Sequence, residues 1–270
     1  MRTYAFVAAV GLFFFGGCAV AGEPPLIRQS DLPAPGTAKA VVVPDSVPAS
    51  VVSRINAERA AFYGDLREVI ASDADGLLIL TDKGHPLPPG YEPADLISLS
   101  RPGVARSYLA NRQGLSLRAP AERALERMAA AALADGVTLV VSSSYRSYDY
   151  QKTVYERNVR ELGQAAADRE SARPGTSQHQ LGTAVDFGSI TDDFAVTKAG
   201  RWIRERGGEW GWSLSFPDGY ESVTGYRWES WHWRYVGVKA AAFQEKWFDG
   251  VQQYMLECVD AWVKSPYSGL

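Results

Sequence analysis

The sequence predicts an α+β fold, with a mainly antiparallel central sheet flanked by helices. Three observations lead to it. Apolar residues recur at helical spacing in several stretches, notably across residues 51–70 and 125–133. Short apolar and β-branched runs such as Val137-Thr138-Leu139-Val140-Val141 alternate with those stretches. Late in the chain the strand-like runs follow one another too closely for repeated βαβ units, which favours strands paired antiparallel.

The N-terminal part carries an address and a tether. Arg2, an apolar run from Tyr4 to Phe15, and the small residues Gly16, Gly17 and Cys18 have the order of an export signal. The run is shorter than the ~18 residues of a membrane-spanning helix. Phe15-Gly16-Gly17-Cys18 resembles a bacterial lipoprotein processing box, in which Cys18 becomes the lipidated first residue and a membrane anchor. Residues 19–48 contain Pro24, Pro25, Pro33, Pro35, Pro44 and Pro48. Proline fixes φ and lacks an N–H, so this segment is expected as a semi-extended linker. Residues 49–270 remain for the globular domain, ample for a single core. This organisation predicts an exported protein of the periplasm or cell envelope, and the protein is expected as a monomer.

Within the domain, Ser50 can cap a helix that runs to Ile70, weakened by Gly64 and interrupted by Arg59 on its apolar stripe. Leu77-Leu78-Ile79-Leu80 is expected as a short strand. Pro120 suits the first position of a helix that stops at Gly136. A buried strand over residues 137–141 follows, then a helix from Tyr150 to Leu162 ended by Gly163. Residues 183–187 are expected as a strand and residues 198–206 as a helix. Residues 212–216 and 231–236 are expected as strands. A last helix spans residues 241–263, with Gly250 as a break.

Composition narrows the chemistry. The formal net charge is −3, so the Lys and Arg surplus that phosphate binding needs is absent and nucleic acid is disfavoured. Two Cys allow neither a disulfide framework nor an all-Cys zinc site. The three His are His85, His179 and His232, so any His-based metal site draws on that set.

Three polar clusters stand out: residues 142–148, residues 177–186 and residues 229–235. His179, Asp186 and His232 supply two nitrogens and one carboxylate, a ligand set that leaves a position for water on zinc. Gly182 between the first two allows the sharp turn that would bring them together. Glu229, three residues from His232, is the general-base candidate. On a regular strand residues 229 and 232 face opposite sides, so Glu229 must precede the strand or be re-aimed by a bulge. His232, Arg234 and Val236 would share one face, and Trp231, Trp233 and Tyr235 the other. Other readings stay open from spacing alone. His85 fits a surface hydrogen-bonding role, Arg146 a surface ion pair, and the Trp-rich C-terminal region a sugar-stacking platform.

Taken in series, these motifs resemble a known family. Ser144-Tyr145-Arg146-Ser147-Tyr148 with Gln151, then Ser177-x-His179-x-x-Gly182-x-Ala184-x-Asp186, then Glu229-x-Trp231-His232-Trp233-Arg234-Tyr235-Val236-Gly237 are similar to the VanY-type D-alanyl-D-alanine carboxypeptidases, relatives of the VanX dipeptidases. The likeness extends over roughly residues 77–257. It implies Zn2+ held by His179, Asp186 and His232 in a cleft on the sheet, with Glu229 as the catalytic carboxylate. It implies Arg146 as the group that stabilises the developing oxyanion, and Gln151, Ser177 and Ser144 as residues beside the substrate. The substrates implied are peptidoglycan stem peptides that lose a C-terminal D-alanine. Two departures are visible: Ser144 stands where many members carry Gly, and Ser230 where many carry Pro. The same zinc chemistry would serve an L,D-carboxypeptidase or a cell-wall endopeptidase. A non-catalytic peptidoglycan-binding lipoprotein is the alternative of another class, and it would have no need of a general base.

Overall fold

The computed structural model describes residues 43–88, 90–100 and 105–265. The export signal, Cys18 and most of the Pro-rich segment lie outside the described residues. From residue 43 the chain is already docked: Val47 is buried against the helices that follow, and Ser46 bonds to Glu257.

The helix expected near residue 50 is two helices, α1 (Ala49–Ala57) and α2 (Arg59–Ser72), because Glu58 leaves helical geometry (φ −116°, ψ 37°). Three short strands follow that periodicity could not reveal: β1 (Leu96–Ser98), β2 (Leu109–Ala110) and β3 (Ser116–Arg118). Helix α3 (Ala119–Ala134) has Pro120 in its first turn, as its sequence requires. Strand β4 (Val140–Ser143) begins later than expected. Residues before it close the helix, with Val137 N–H donating to Ala132 O at 2.8 Å. Helix α4 (Tyr148–Leu162) starts early because Ser147 caps it, its Oγ accepting from Tyr150 N–H. The helix ends at Gly163, but α5 (Gln164–Glu170) continues at once in a new direction. Then come β5 (Ala184–Phe187), α6 (Lys198–Arg206), β6 (Trp212–Leu214), the single turn α7 (Glu221–Thr224) and β7 (His232–Tyr235). Helices α8 (Val238–Phe248) and α9 (Gln252–Lys264) replace the last predicted helix, divided at Asp249 and Gly250, both with positive φ.

The main sheet has five strands in the order β2-β4-β5-β7-β6. It is mixed: β2 runs parallel to β4, and the other pairings are antiparallel. Strand β1 pairs only with β3, in a separate two-stranded ribbon. One face of the main sheet buries Val185, Phe187, Trp233 and Tyr235 with Leu125 and Met128 of α3 and Ile203 of α6. A second core joins α1, α2, α8 and α9 through Phe62, Phe243, Trp247 and Trp262. Six of the eight Trp are buried, so the Trp-rich region is chiefly core rather than a sugar-stacking platform.

Register places the functional face. Asp186 of β5 stands directly opposite His232 of β7, and Ser143 of β4 opposite Asp186. Directly paired residues point to the same side, so the three form a row across the sheet. Two residues along, Ala184 pairs with Arg234 on that same side.

The predicted strand over residues 77–80 forms no ladder. Leu77, Leu78 and Leu80 are buried as expected, but the segment is held by a side chain. The fully buried Arg234 guanidinium donates to Leu77 O at 2.6 Å and to Ile79 O at 2.8 Å, replacing a neighbouring strand as the donor. Substituting Arg234→Met is expected to strand those carbonyls and cost about 1–3 kcal/mol in chemical denaturation, with faster amide exchange over residues 77–80. An unchanged denaturation midpoint would mean that other donors hold the segment.

Candidate active site

His179 enters the site on a 3-10 turn (Gln178–Leu181) that Ser177 caps, its Oγ accepting from His179 N–H at 3.3 Å. Gly182 (φ 69°) then reverses the chain into β5, which delivers Asp186 four residues later. A side chain at 182 would be strained in this left-handed conformation and would meet Arg118 Cγ at 3.0 Å. The turn foreseen between the two residues is therefore present, and its glycine is required twice over.

Glu229 precedes β7. The His232 N–H bonds to Glu229 O at 3.2 Å, closing a turn that lays the carboxylate beside the imidazole before the strand begins. The apparent conflict of strand faces disappears, because Glu229 never belongs to the strand. Its Oε2 lies 3.6 Å from His232 Nδ1.

His179, Asp186 and His232 each offer one ligand atom, all within 4.8 Å of one another. Asp186 stands between the rings, with Oδ2 3.2 Å from His179 Nε2 and Oδ1 3.0 Å from His232 Nδ1. All three residues are buried. His179 Nε2 and Asp186 Oδ1 nevertheless make no well-directed hydrogen bond. Buried polar atoms are normally paired, so this orphaned set fits a cation that two imidazoles and a carboxylate would ligate. The outer nitrogen of each ring is already engaged. His179 Nδ1 lies 2.7 Å from Ser144 O, a carbonyl that only accepts, so Nδ1 carries the hydrogen and Nε2 is free to ligate. His232 Nε2 lies 3.3 Å from Gln178 Oε1.

The charges follow from burial and from these neighbours. Burial, reinforced by Arg146, lowers the His179 pKa to about 4, so its imidazole is neutral at pH 7. Burial works against the Asp186 charge, and Arg146 offsets it by donating to Oδ2; the imidazole nitrogens that face Asp186 are placed to share a cation with it. At Glu229, burial and then the Asp186 charge push the carboxyl well above the usual range.

Arg146 is clamped on three sides. It donates to Ser143 Oγ (3.2 Å), Gln151 Oε1 (3.0 Å) and Asp186 Oδ2 (3.0 Å) while still lining the cleft. The surface ion pair considered for it is thus a partly buried one, inside the site. The cleft holds about 400 Å³, and Ser177, Phe216, Tyr226, Arg227 and Trp231 contribute to its walls. Ser144 and Gln151 lie behind those walls, both fully buried. The Ser144 carbonyl orients His179, and its Oγ accepts from Ser116 N–H at 3.0 Å. Gln151 braces Arg146 and donates to Ala172 O at 2.7 Å. His85 stays away from the cluster and pairs with Asp82. Gln178 and its neighbour Ser215 were not singled out by the sequence, although Gln178 adjoins a motif histidine.

The family model for VanY, D-alanyl-D-alanine carboxypeptidase, matches residues 114–238. The Bacillus subtilis (strain 168) protein YodJ, a carboxypeptidase by name, is 34% identical over 190 residues, 67% of this chain and 68% of its own length. A VanY D,D-pentapeptidase from a VanB-type vancomycin resistance cassette, solved as a variant with Zn(II), is 31% identical at a TM-score of 0.54, over 66% of this chain and 98% of that one. This chain belongs to the VanY family. Other solved structures resemble it to a similar degree. The LdcB LD-carboxypeptidase is 33% identical at a TM-score of 0.60, over 69% of this chain and 88% of that one. VanYB, solved with D-alanine-D-alanine, is 29% identical at 0.55, over 71% and 99%. The segment common to the VanY family holds all five of His179, Asp186, His232, Glu229 and Arg146.

Proposed function

We propose that the protein is a zinc carboxypeptidase that removes C-terminal D-alanine from peptidoglycan stem peptides. The observation that carries this reading is the buried His179–Asp186–His232 donor set, with the high-pKa carboxylate of Glu229 beside it. The Zn(II) and D-alanine-D-alanine complexes of its VanY relatives support the choice of metal and of substrate class. A protein that only bound peptidoglycan would have no use for a buried proton acceptor at a metal site.

His179 Nε2, Asp186 and His232 Nδ1 would hold the ion. Bound there, zinc would polarise the scissile carbonyl and lower the pKa of the attacking water. Glu229 Oε2, in its carboxylate form, accepts the proton that the water gives up and passes it to the departing amine; burial raises its proton affinity for that task. Arg146 is fixed by Ser143, Gln151 and Asp186, so its guanidinium needs no reorganisation to donate to the carbonyl oxygen as charge develops. Phe216, Tyr226 and Trp231 wall the cleft with rings that limit water around the charges. Ser144 and Gln151 act from behind, by orienting His179 and Arg146.

The substitution Glu229→Gln is expected to retain one zinc per chain while turnover falls by ~10²–10⁴-fold. Metal analysis beside a D-alanine release assay reads both quantities. Chelation should abolish wild-type activity and added zinc should restore it. Near-normal turnover by Glu229→Gln would place the base elsewhere.

The second reading, L,D-carboxypeptidase, is favoured by the match to LdcB. Stem peptides of defined length separate the two. On the D,D reading, mass spectrometry shows one alanine leaving a pentapeptide that ends in D-Ala-D-Ala, and the tetrapeptide remains. Loss of alanine from the tetrapeptide instead would establish the L,D activity.

The protein is further proposed to act as a monomer in the cell envelope, exported by residues 1–17 and anchored through lipid on Cys18. The motive is the order Arg2, apolar run, Gly16-Gly17-Cys18. Stable anchoring needs two or more acyl chains. Cell fractionation should find the wild type with membranes and Cys18→Ala in the soluble fraction. Equal release of both forms would remove the anchor.

A further inference from the structure

The amide orientations behind His232 are forced by one backbone carbonyl. Ser213 O can only accept, so the Gln252 side chain must present Nε2 to it, at 3.4 Å. Gln252 Oε1 then faces Gln178 and accepts from its Nε2 at 3.1 Å. That choice turns Gln178 Oε1 the other way, where it accepts from Ser215 Oγ at 2.7 Å and lies 3.3 Å from His232 Nε2. An amide oxygen carries no hydrogen, so this last contact is a hydrogen bond only when His232 Nε2 bears the proton. A neutral imidazole has one such proton. The Gln178 oxygen thus competes for that proton with Asp186 Oδ1, 3.0 Å from Nδ1, and where Gln178 wins Nδ1 is bare. Gln178, Ser215, His232 and Gln252 are all buried, with Gln178 and His232 at the cleft wall.

We propose that Gln252, on α9, is a positioning residue of the metal centre: it fixes the Gln178 amide and thereby holds His232 in the tautomer that ligates through Nδ1. This rests on the reading of His179, Asp186 and His232 as metal ligands. Gln252 lies beyond residue 238, outside the segment that the family model matches, so no catalytic motif points to it. Without its oxygen the Gln178 amide is free to flip and present –NH₂ to His232 Nε2. That arrangement selects the Nδ1–H tautomer, in which the ligating lone pair is lost.

The test needs two readouts on the full chain. In the metal-free protein, ¹⁵N-histidine NMR of the wild type should show His232 as the Nε2–H tautomer, and Gln252→Met should shift it toward Nδ1–H. In chelator competition, Gln252→Met should bind zinc ~10–100-fold more weakly, the range found when such outer partners are lost. Gln252→Glu keeps an acceptor for Gln178 Nε2 and should leave the tautomer Nε2–H. Combining Gln252→Met with Gln178→Met should be no worse than Gln178→Met alone, since both remove one relay. An Nδ1–H tautomer in the wild type overturns the proposal even if every variant fails to fold. So does wild-type zinc affinity in a folded Gln252→Met, or additive losses in the double variant. A wild type that binds no zinc but shows His232 as Nε2–H would instead overturn the metal reading.

Discussion

A buried carboxylate is tolerated only with partners, and the centre of this protein is organised by that requirement at Asp186. Removing such a charge from water costs several kcal/mol even after relaxation. Asp186 receives the Arg146 guanidinium in return, and on the proposed reading it would share a metal ion with the two imidazoles that face it. Each partner is fixed by backbone as well as by side chain. His232 is its register neighbour across β5 and β7, and His179 is folded back by the turn at Gly182. Arg146 donates its backbone N–H to His179 O, at 3.2 Å, so the end of β4 and the histidine turn brace each other. The donor set is thus held by hydrogen-bonded chain from three strands.

The same carboxylate separates the roles of the two acids. Asp186 is held as an anion by Arg146, while its charge reinforces the effect of burial on Glu229. Two carboxyl groups a few ångströms from one imidazole thereby diverge, one fixed as a ligand and the other disposed to take up a proton. Divergence of this kind marks an acid–base assignment better than either residue alone. It depends on the turn that ends at His232. Had Glu229 continued the strand, it would have faced away from the site.

The sequence made the central face legible because alternation there is strict. His232 and Arg234 share the site side, and Trp233 and Tyr235 the core side, as period two demands. The strands at residues 96–98, 109–110 and 116–118 are too short to show any period. Residues 77–80 look like a strand because burial selects the same apolar residues, whatever donates to their carbonyls. Arg234 does so from the next layer, a contact that no local pattern encodes. Ser144 and Gln151 illustrate the converse. The motif marks both, but it cannot say whether a marked residue meets substrate or supports a neighbour that does. Both are buried here and bonded to His179 and Arg146.

On the proposed zinc-carboxypeptidase reading, the His179–Asp186–His232 donor set leaves the choice of peptide bond to the cleft walls. Cutting either terminal D-alanine bond makes the same demands on an ion, a proton acceptor and an oxyanion donor. The two reactions differ in the configuration and side chain of the residue whose carbonyl is attacked. The walls available to that residue include Arg112 before β3, Tyr150 and Val154 on α4, Ile190 after β5, and Arg227 before β7. These come from segments of different length and packing, and most are exposed or half-buried where the ligands are not. A wall of that kind can change its shape at little cost to the core, whereas a change at His179, Asp186 or His232 falls on buried side chains of the donor set. Specificity within such a scaffold is therefore free to vary while its chemistry stays fixed.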